Sequence, residues 1–168
     1  MFLFYYASQY IRLRIKYFEE GCKKEASSVG VELEQFIVDS DTHLAAPYAG
    51  DNGVREVIEK LMQFYPDAEP IIDEDLLGFL TKDFSITLEP AAQLEISIFP
   101  MKTVECLGEI FLDYEKNLTS VLSSMHLRAM PVATQPESHV DDLTMIPKER
   151  YRLMDMHFQK IGKGGREM

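Results

Sequence analysis

The chain has 168 residues, 46% of them hydrophobic, with a mean hydropathy of -0.15. That is enough to bury one sizeable core, so a soluble domain, or part of a larger one, is expected. Twenty-eight acidic against seventeen basic side chains give a formal charge of -11, which repels nucleic acid and anionic membrane surfaces and makes neither an expected partner.

No local patch overrides that charge. Arg12, Arg14, Lys16, Lys23 and Lys24 come nearest, but Glu19, Glu20 and Glu25 interleave with them, as on a solvated helix face. Cys22 and Cys106 are too few for a disulfide framework and lack zinc-site spacing, so a reducing cytoplasm is the expected location. The apolar opening MFLFYYASQYIRLRIKYF lacks a basic leader and meets Arg12 early, which makes it a poor signal peptide. No uncharged run approaches the roughly 18 residues of a membrane span.

Tyr6, Tyr10, Leu13, Tyr17 and Phe18 recur at three- to four-residue spacing and predict an amphipathic helix over about Phe4 to Lys24, with Gly21 near its end. VGVELEQFIVD then alternates as a strand does. Val29, Val31, Leu33 and Ile37 take one face, and Glu32, Glu34, Phe36 and Val38 the other. A loop with Pro47, Gly50 and Gly53 leads to a second helix, whose stripe is Val54, Val57, Ile58, Leu61 and Phe64 and which Pro66 ends.

FSITLE and QLEISIF read as two strands of an antiparallel hairpin around Pro90-Ala91-Ala92. Leu94, Ile96 and Ile98 mark the apolar face of the second strand, so Gln93, Glu95 and Ser97 share the opposite one. From Thr103 to Met125 the residues Val104, Leu107, Phe111, Tyr114, Leu118, Val121 and Met125 form the longest helical stripe, and Cys106 beside it is expected to be a buried small side chain. Arg128 to Thr144 reads as a loop around a short extended piece. Pro147 starts a final helix to about Lys160, and IGKGGREM is a glycine-rich exit. The fold class is therefore α+β, a mainly antiparallel sheet with helices on one face and an acidic face left open.

The informative feature is that Glu32 and Glu34 from one strand, and Glu89 and Glu95 from the hairpin, aim carboxylates at one side. Mg²⁺ takes hard oxygen ligands and shares them among carboxylates, water and nucleotide phosphates. Crowding such charges without a cation is costly. Alternating glutamates also mark the wet face of any amphipathic strand, and for Glu32 and Glu34 pattern by itself favours that reading.

Two motifs shift the balance. GVELEQFIVD resembles the G-x-E-x-E strand of the glutamate-cysteine ligase family, and ITLEPAAQLEISIFP resembles the second acidic signature of its plant-type members and their bacterial relatives, close to LEPGGQxELS. IPKERYRLMDMHFQKIGKGGREM is similar to the family segment in which an Arg-Tyr pair opens a helix before a glycine loop. The resemblance spans about Tyr17 to Met168. It implies a fold related to glutamine synthetase and ATP-dependent joining of the γ-carboxylate of L-glutamate to the amine of L-cysteine, the first step of glutathione biosynthesis.

On the same resemblance, Glu32, Glu34, Glu89 and Glu95 would be Mg²⁺ ligands and Gln93 a neighbour of substrate or cofactor, with ATP and Mg²⁺ as cofactors. Arg150 and Tyr151 match the family tail and leave open a packing role or a substrate contact. Ala91 and Ala92 stand where the plant-type motif has glycines, restricting positive backbone dihedrals in the turn. Family members are considerably longer, so residues 1–168 are expected to be the N-terminal portion of a single catalytic domain that is inactive alone. Two alternatives stay open. One is a non-catalytic Mg²⁺- or nucleotide-binding module, or half of a split enzyme completed by a second chain; the other is a related ligase with a different amine acceptor.

Overall fold

The alternation in VGVELEQFIVD becomes strand β1 (Val29–Asp39) of a computed structural model that describes residues 2–22 and 28–162, with side chains from residue 11 onward. The other elements are helix α1 (Phe2–Gly21), helix α2 (Val54–Met62), strands β2 (Glu69–Asp73), β3 (Asp75–Leu80), β4 (Phe84–Leu88) and β5 (Leu94–Met101), helix α3 (Val104–Ser124), strand β6 (Leu127–Met130) and helix α4 (Glu149–Ile161). The strands form one six-stranded sheet in the order β2-β3-β4-β5-β1-β6, every pairing antiparallel. This is the expected α+β class.

Side-chain alternation gives the sheet two unlike faces. Phe84, Ile86 and Leu88 of β4 and Leu94, Ile96 and Ile98 of β5 are buried on one, under Val57, Ile58 and Leu61 of α2 and Leu107, Tyr114, Leu118 and Val121 of α3. Thr103 caps α3 by accepting the Cys106 N–H, and Gln35 reaches into this core to donate to the Tyr114 hydroxyl at 2.8 Å. Ser85, Thr87, Glu95, Ser97, Glu32 and Glu34 share the opposite face, since the register sets Glu95 across from both Thr87 and Glu34, and Ser97 across from both Ser85 and Glu32. Towards the β6 end that face turns apolar, with Phe36, Val38 and Met130 buried in a small cluster of their own.

Several expectations are corrected. The hairpin of β2 and β3 has no counterpart in the sequence reading. Phe64 lies beyond α2 and is exposed, because the helix stops before it; Val104, at the first position of α3, is exposed too. Cys106 is also exposed rather than buried: it sits one residue before the inward-facing Leu107 in the first turn. On α1 every side chain from Ile11 to Gly21 is exposed, so Leu13, Tyr17 and Phe18 do not form the predicted stripe against a core. The side chains of Tyr6 and Tyr10, the predicted helix end at Lys23 and Lys24, and the glycine-rich exit from residue 163 lie outside the described residues. None of the described helices is long and apolar enough to cross a membrane.

At the far end of β1, Asp39 closes a tight turn by accepting from the N–H of Asp41 and of Thr42 and from the Thr42 hydroxyl. His126, between α3 and β6, places Nε2 2.9 Å from Asp41, and its carbonyl accepts the Ser40 N–H. The Asp41 hydrogen bond and the Asp41 and Asp39 charges raise the imidazole pKa above its ordinary 6.5. A raised folded-state pKa means this tie contributes fully below pH 6.5 and is lost as pH rises through the raised value. In an NMR titration of the His126 ring, the midpoint should lie above 6.5 and return towards it in Asp41→Asn. An unchanged midpoint in the variant would break the assignment.

Candidate functional site

The acidic face gathers its charge where β1, β5 and the β4–β5 turn meet. Glu34 and Glu95 are direct cross-strand partners. Glu89 follows β4 and is brought back by the turn, where its N–H donates to the Gln93 carbonyl at 3.0 Å and its carbonyl accepts the Ala92 N–H at 2.9 Å. Proline followed by a residue in the left-handed region is the pattern of a three-residue hairpin loop, and that position is ordinarily glycine. Here Ala92 takes it at φ +64°. The strain of about 1 kcal/mol is tolerated with the Ala92 methyl buried in the core, 3% exposed. The alanines have therefore not excluded a positive dihedral.

Glu34, Glu89 and Glu95 each offer a carboxylate oxygen, and all three oxygens lie within 4.8 Å of one another. Glu32 is on the same face but one step along, opposite Ser97, and is not in this group. Gln93 braces the turn: its side-chain oxygen accepts the Ala91 N–H at 3.1 Å. Like charges set directly across two strands, as Glu34 and Glu95 are, repel, and Glu89 is brought beside both. Burial, a hydrogen bond shared with Glu95, and the charges of Glu34 and Glu95 together push the Glu89 carboxyl above the usual carboxylate range.

Two neighbours that the sequence reading did not connect to the carboxylates touch them. The Ser97 hydroxyl donates to Glu95 at 2.7 Å. Tyr151, in the first turn of α4, is buried and directs its hydroxyl at Glu89 Oε2 and the Leu88 carbonyl, 3.4 and 3.3 Å away. The Ser97 bond has a signal in the sequence, since Glu95 and Ser97 two apart on a strand share a face. The Tyr151 contact spans 62 residues and has none.

An all-carboxylate oxygen set suits a hard cation such as Mg²⁺ and not a thiolate- or imidazole-preferring metal. Two further facts favour this reading of the donors. The opposed pair is costly as bare charge, and the group is only partly exposed, with Glu89 and Glu95 half-buried. On the helical side of the sheet a shallow cleft lies among Tyr65, Asp67, Lys82, Glu109 and Asp113. Its Tyr65 hydroxyl and Asp113 carboxylate are already joined to each other and to Asn117, so the carboxylates of the open face, rather than the cleft, direct the functional reading.

Comparison with known proteins agrees with the motifs. Glutamate-cysteine ligase A, chloroplastic, of Oryza sativa subsp. japonica is 28% identical over 156 residues, covering 92% of this chain and 31% of the rice protein. The chloroplastic glutamate-cysteine ligase of Brassica juncea is 25% identical, covering 92% and 30%, and that of Arabidopsis thaliana 24% identical, covering 92% and 29%. The chain thus spans under a third of the length of the curated relatives it matches.

The expected cytoplasmic location is contradicted by these names, since the relatives are chloroplastic proteins. A low cysteine count reports a reducing compartment and does not tell one such compartment from another. The family model for glutamate-cysteine ligase family 2 matches residues 28–168. That stretch holds the whole sheet, the three converging carboxylates and the tyrosine that touches them, and the chain belongs to this family.

Proposed function

We propose that this chain supplies the Mg²⁺-binding carboxylate sheet of an ATP-dependent ligase, on a fold related to glutamine synthetase, that joins the γ-carboxylate of L-glutamate to the amine of L-cysteine. The observation that carries the reading is the convergence of Glu34, Glu89 and Glu95 to within 4.8 Å. In the reaction, the glutamate γ-carboxylate displaces ADP from the γ-phosphorus of ATP to give an acyl phosphate. The cysteine amine then displaces phosphate, losing a proton as the amide forms.

Bound Mg²⁺ would offset triphosphate charge and the charge that develops during phosphoryl transfer. Glu34, Glu89 and Glu95 would hold it, with Glu32 one step along the same face. Ser97 fixes the rotamer of Glu95 by its hydrogen bond. Gln93, as a neighbour of substrate or cofactor, would act through the turn it braces. The described sheet is read as one portion of a larger catalytic domain, in keeping with the share of the relatives that it covers.

A second reading has one observation in its favour. β6 pairs only with Phe36–Asp39, so residues 29–35 of β1 have β5 on one side and, among the described residues, no strand on the other. A second chain could complete the sheet there. One experiment addresses both readings: glutamate- and cysteine-dependent ADP release by a complete family enzyme carrying this sheet, by this chain alone, and by this chain mixed with the remainder. Glu34→Gln and Glu95→Gln are each expected to lower turnover of the complete enzyme by about 10²-fold or more. Unchanged turnover in both would sink the site, and activity only on mixing would favour the two-chain form.

A further inference from the structure

Resting on the carboxylate reading above, we propose that Tyr151 is the positioning residue of the cluster, holding the Glu89 carboxylate turned towards Glu34 and Glu95. Glu89 needs such a restraint more than the other two. Glu34 and Glu95 project from paired strands whose register fixes them opposite each other. Glu89 lies just past the end of β4, on a turn, with a flexible side chain.

The tyrosine is well fixed for the task. The residue is 5% exposed and sits in the main core cluster. Lys148 Nζ lies over the ring at 4.8 Å from its centre. The segment that delivers it is pinned to the same turn by the Ile146 N–H, which donates to the Pro90 carbonyl at 2.9 Å. A buried ring leaves the hydroxyl little freedom to swing, so its position is set by the core and not by the carboxylates. The hydroxyl thereby couples the packing of α4 to the geometry of the acidic face, much as outer partners orient metal-binding carboxylates elsewhere.

The Leu88 carbonyl is a second acceptor for the same proton, so a purely structural role is the competing account, and the test must separate the two. Mn²⁺ binding to the 168-residue chain, followed by electron paramagnetic resonance, is the direct measurement. Tyr151→Phe keeps the ring and should weaken Mn²⁺ binding roughly 10-fold. Tyr48→Phe is the control: it loses a comparable hydroxyl bond, to the Leu76 carbonyl at 2.7 Å, on a strand, β3, that carries none of the three carboxylates, and should leave Mn²⁺ affinity unchanged. In a Glu89→Gln background, Tyr151→Phe should add no further loss.

Wild-type affinity in Tyr151→Phe, equal weakening in Tyr48→Phe, or additive losses with Glu89→Gln would each overturn the proposal. Failure of the underlying reading looks different. Then Mn²⁺ does not bind the wild-type chain, or binds it with an affinity indifferent to Glu34→Gln and Glu95→Gln, and the role of Tyr151 falls with the site.

Discussion

Gly78→Ala is expected to destabilise the chain by about 3 kcal/mol, although it adds a single methyl group. A β-carbon built at Gly78 in β3 would lie 2.0 Å from the Ile86 carbonyl oxygen and 3.2 Å from Thr87 Cα, both backbone atoms of β4. No rotamer change relieves that overlap. β3 and β4 would have to part, and with them the pairs Phe79–Ile86 and Leu80–Ser85, whose Phe79 and Ile86 are completely buried.

The same substitution at Gly108 supplies the contrast. Gly108 lies inside α3 with nothing within 4 Å of its would-be β-carbon, so Gly108→Ala should stabilise by up to about 1 kcal/mol through helix propensity alone. In a protein of this size each kcal/mol moves the melting temperature by roughly 2–4 °C. Thermal denaturation followed by circular dichroism should therefore show Gly78→Ala melting about 6–12 °C lower and Gly108→Ala slightly higher. Coincident melts for Gly78→Ala and wild type would mean that β3 does not press on β4 as described.

Gly78 also illustrates what the sequence could and could not disclose. β1 was legible to its ends because apolar and polar residues alternate from Val29 to Glu34, although the strand is buried only at Phe36, Ile37 and Val38, on both of its faces. The β4–β5 hairpin was legible for the same reason, helped by a proline at the turn. The β2–β3 hairpin was missed because β2 and the turn carry no signal, although Leu76, Leu77, Phe79 and Leu80 give β3 an apolar run. Most of β2 is exposed, so no apolar face shows; a bulge between Ile71 and Ile72 breaks the period; and the turn places Glu74 at φ +63°, where a glycine or asparagine would have advertised it.

The candidate site was legible in outline for a related reason. A pleat tells which side chains share a face, so Glu32, Glu34 and Glu95 could be grouped from sequence. Residues two apart on a strand are nonetheless about 6.6 Å apart, and only one of Glu32 and Glu34 can face Glu95. Which one depends on register, a long-range property. The register selects Glu34 and pairs Glu32 with Ser97. Tyr151 was beyond reach because its contact is made by the docking of α4 on the β4–β5 turn, and neither helical period nor composition encodes that.

Glu95→Gln should change the chain in opposite directions with and without metal, a signature that a merely structural carboxylate would not give. Without metal, Glu95 faces Glu34 across the strands and crowds Glu89. Removing its charge while keeping an oxygen for Ser97 relieves a like-charge pair worth about 0.2–1 kcal/mol, so the metal-free variant should melt at or slightly above wild type. With Mg²⁺ at about 100 times its dissociation constant, the wild-type chain should gain about 2.7 kcal/mol, and the variant, short of one ligand, should gain little of it.

The pH dependence of the metal-free chain gives an independent check, and its sign follows from Glu89. Its folded-state pKa is raised above the ordinary 4.5, so in that window the folded chain binds more protons than the unfolded one. Stability is then lost as pH rises from about 4.5 through the raised value. Glu95→Gln removes the Glu95 charge, one of the causes of the shift, and should flatten that slope. Melting curves in chelator and in excess Mg²⁺, across this pH range, measure all three effects together. A variant that keeps the full Mg²⁺ gain would exclude Glu95 as a ligand, whereas a wild-type chain with no Mg²⁺ gain would leave the acidic face as no more than the wet side of a sheet.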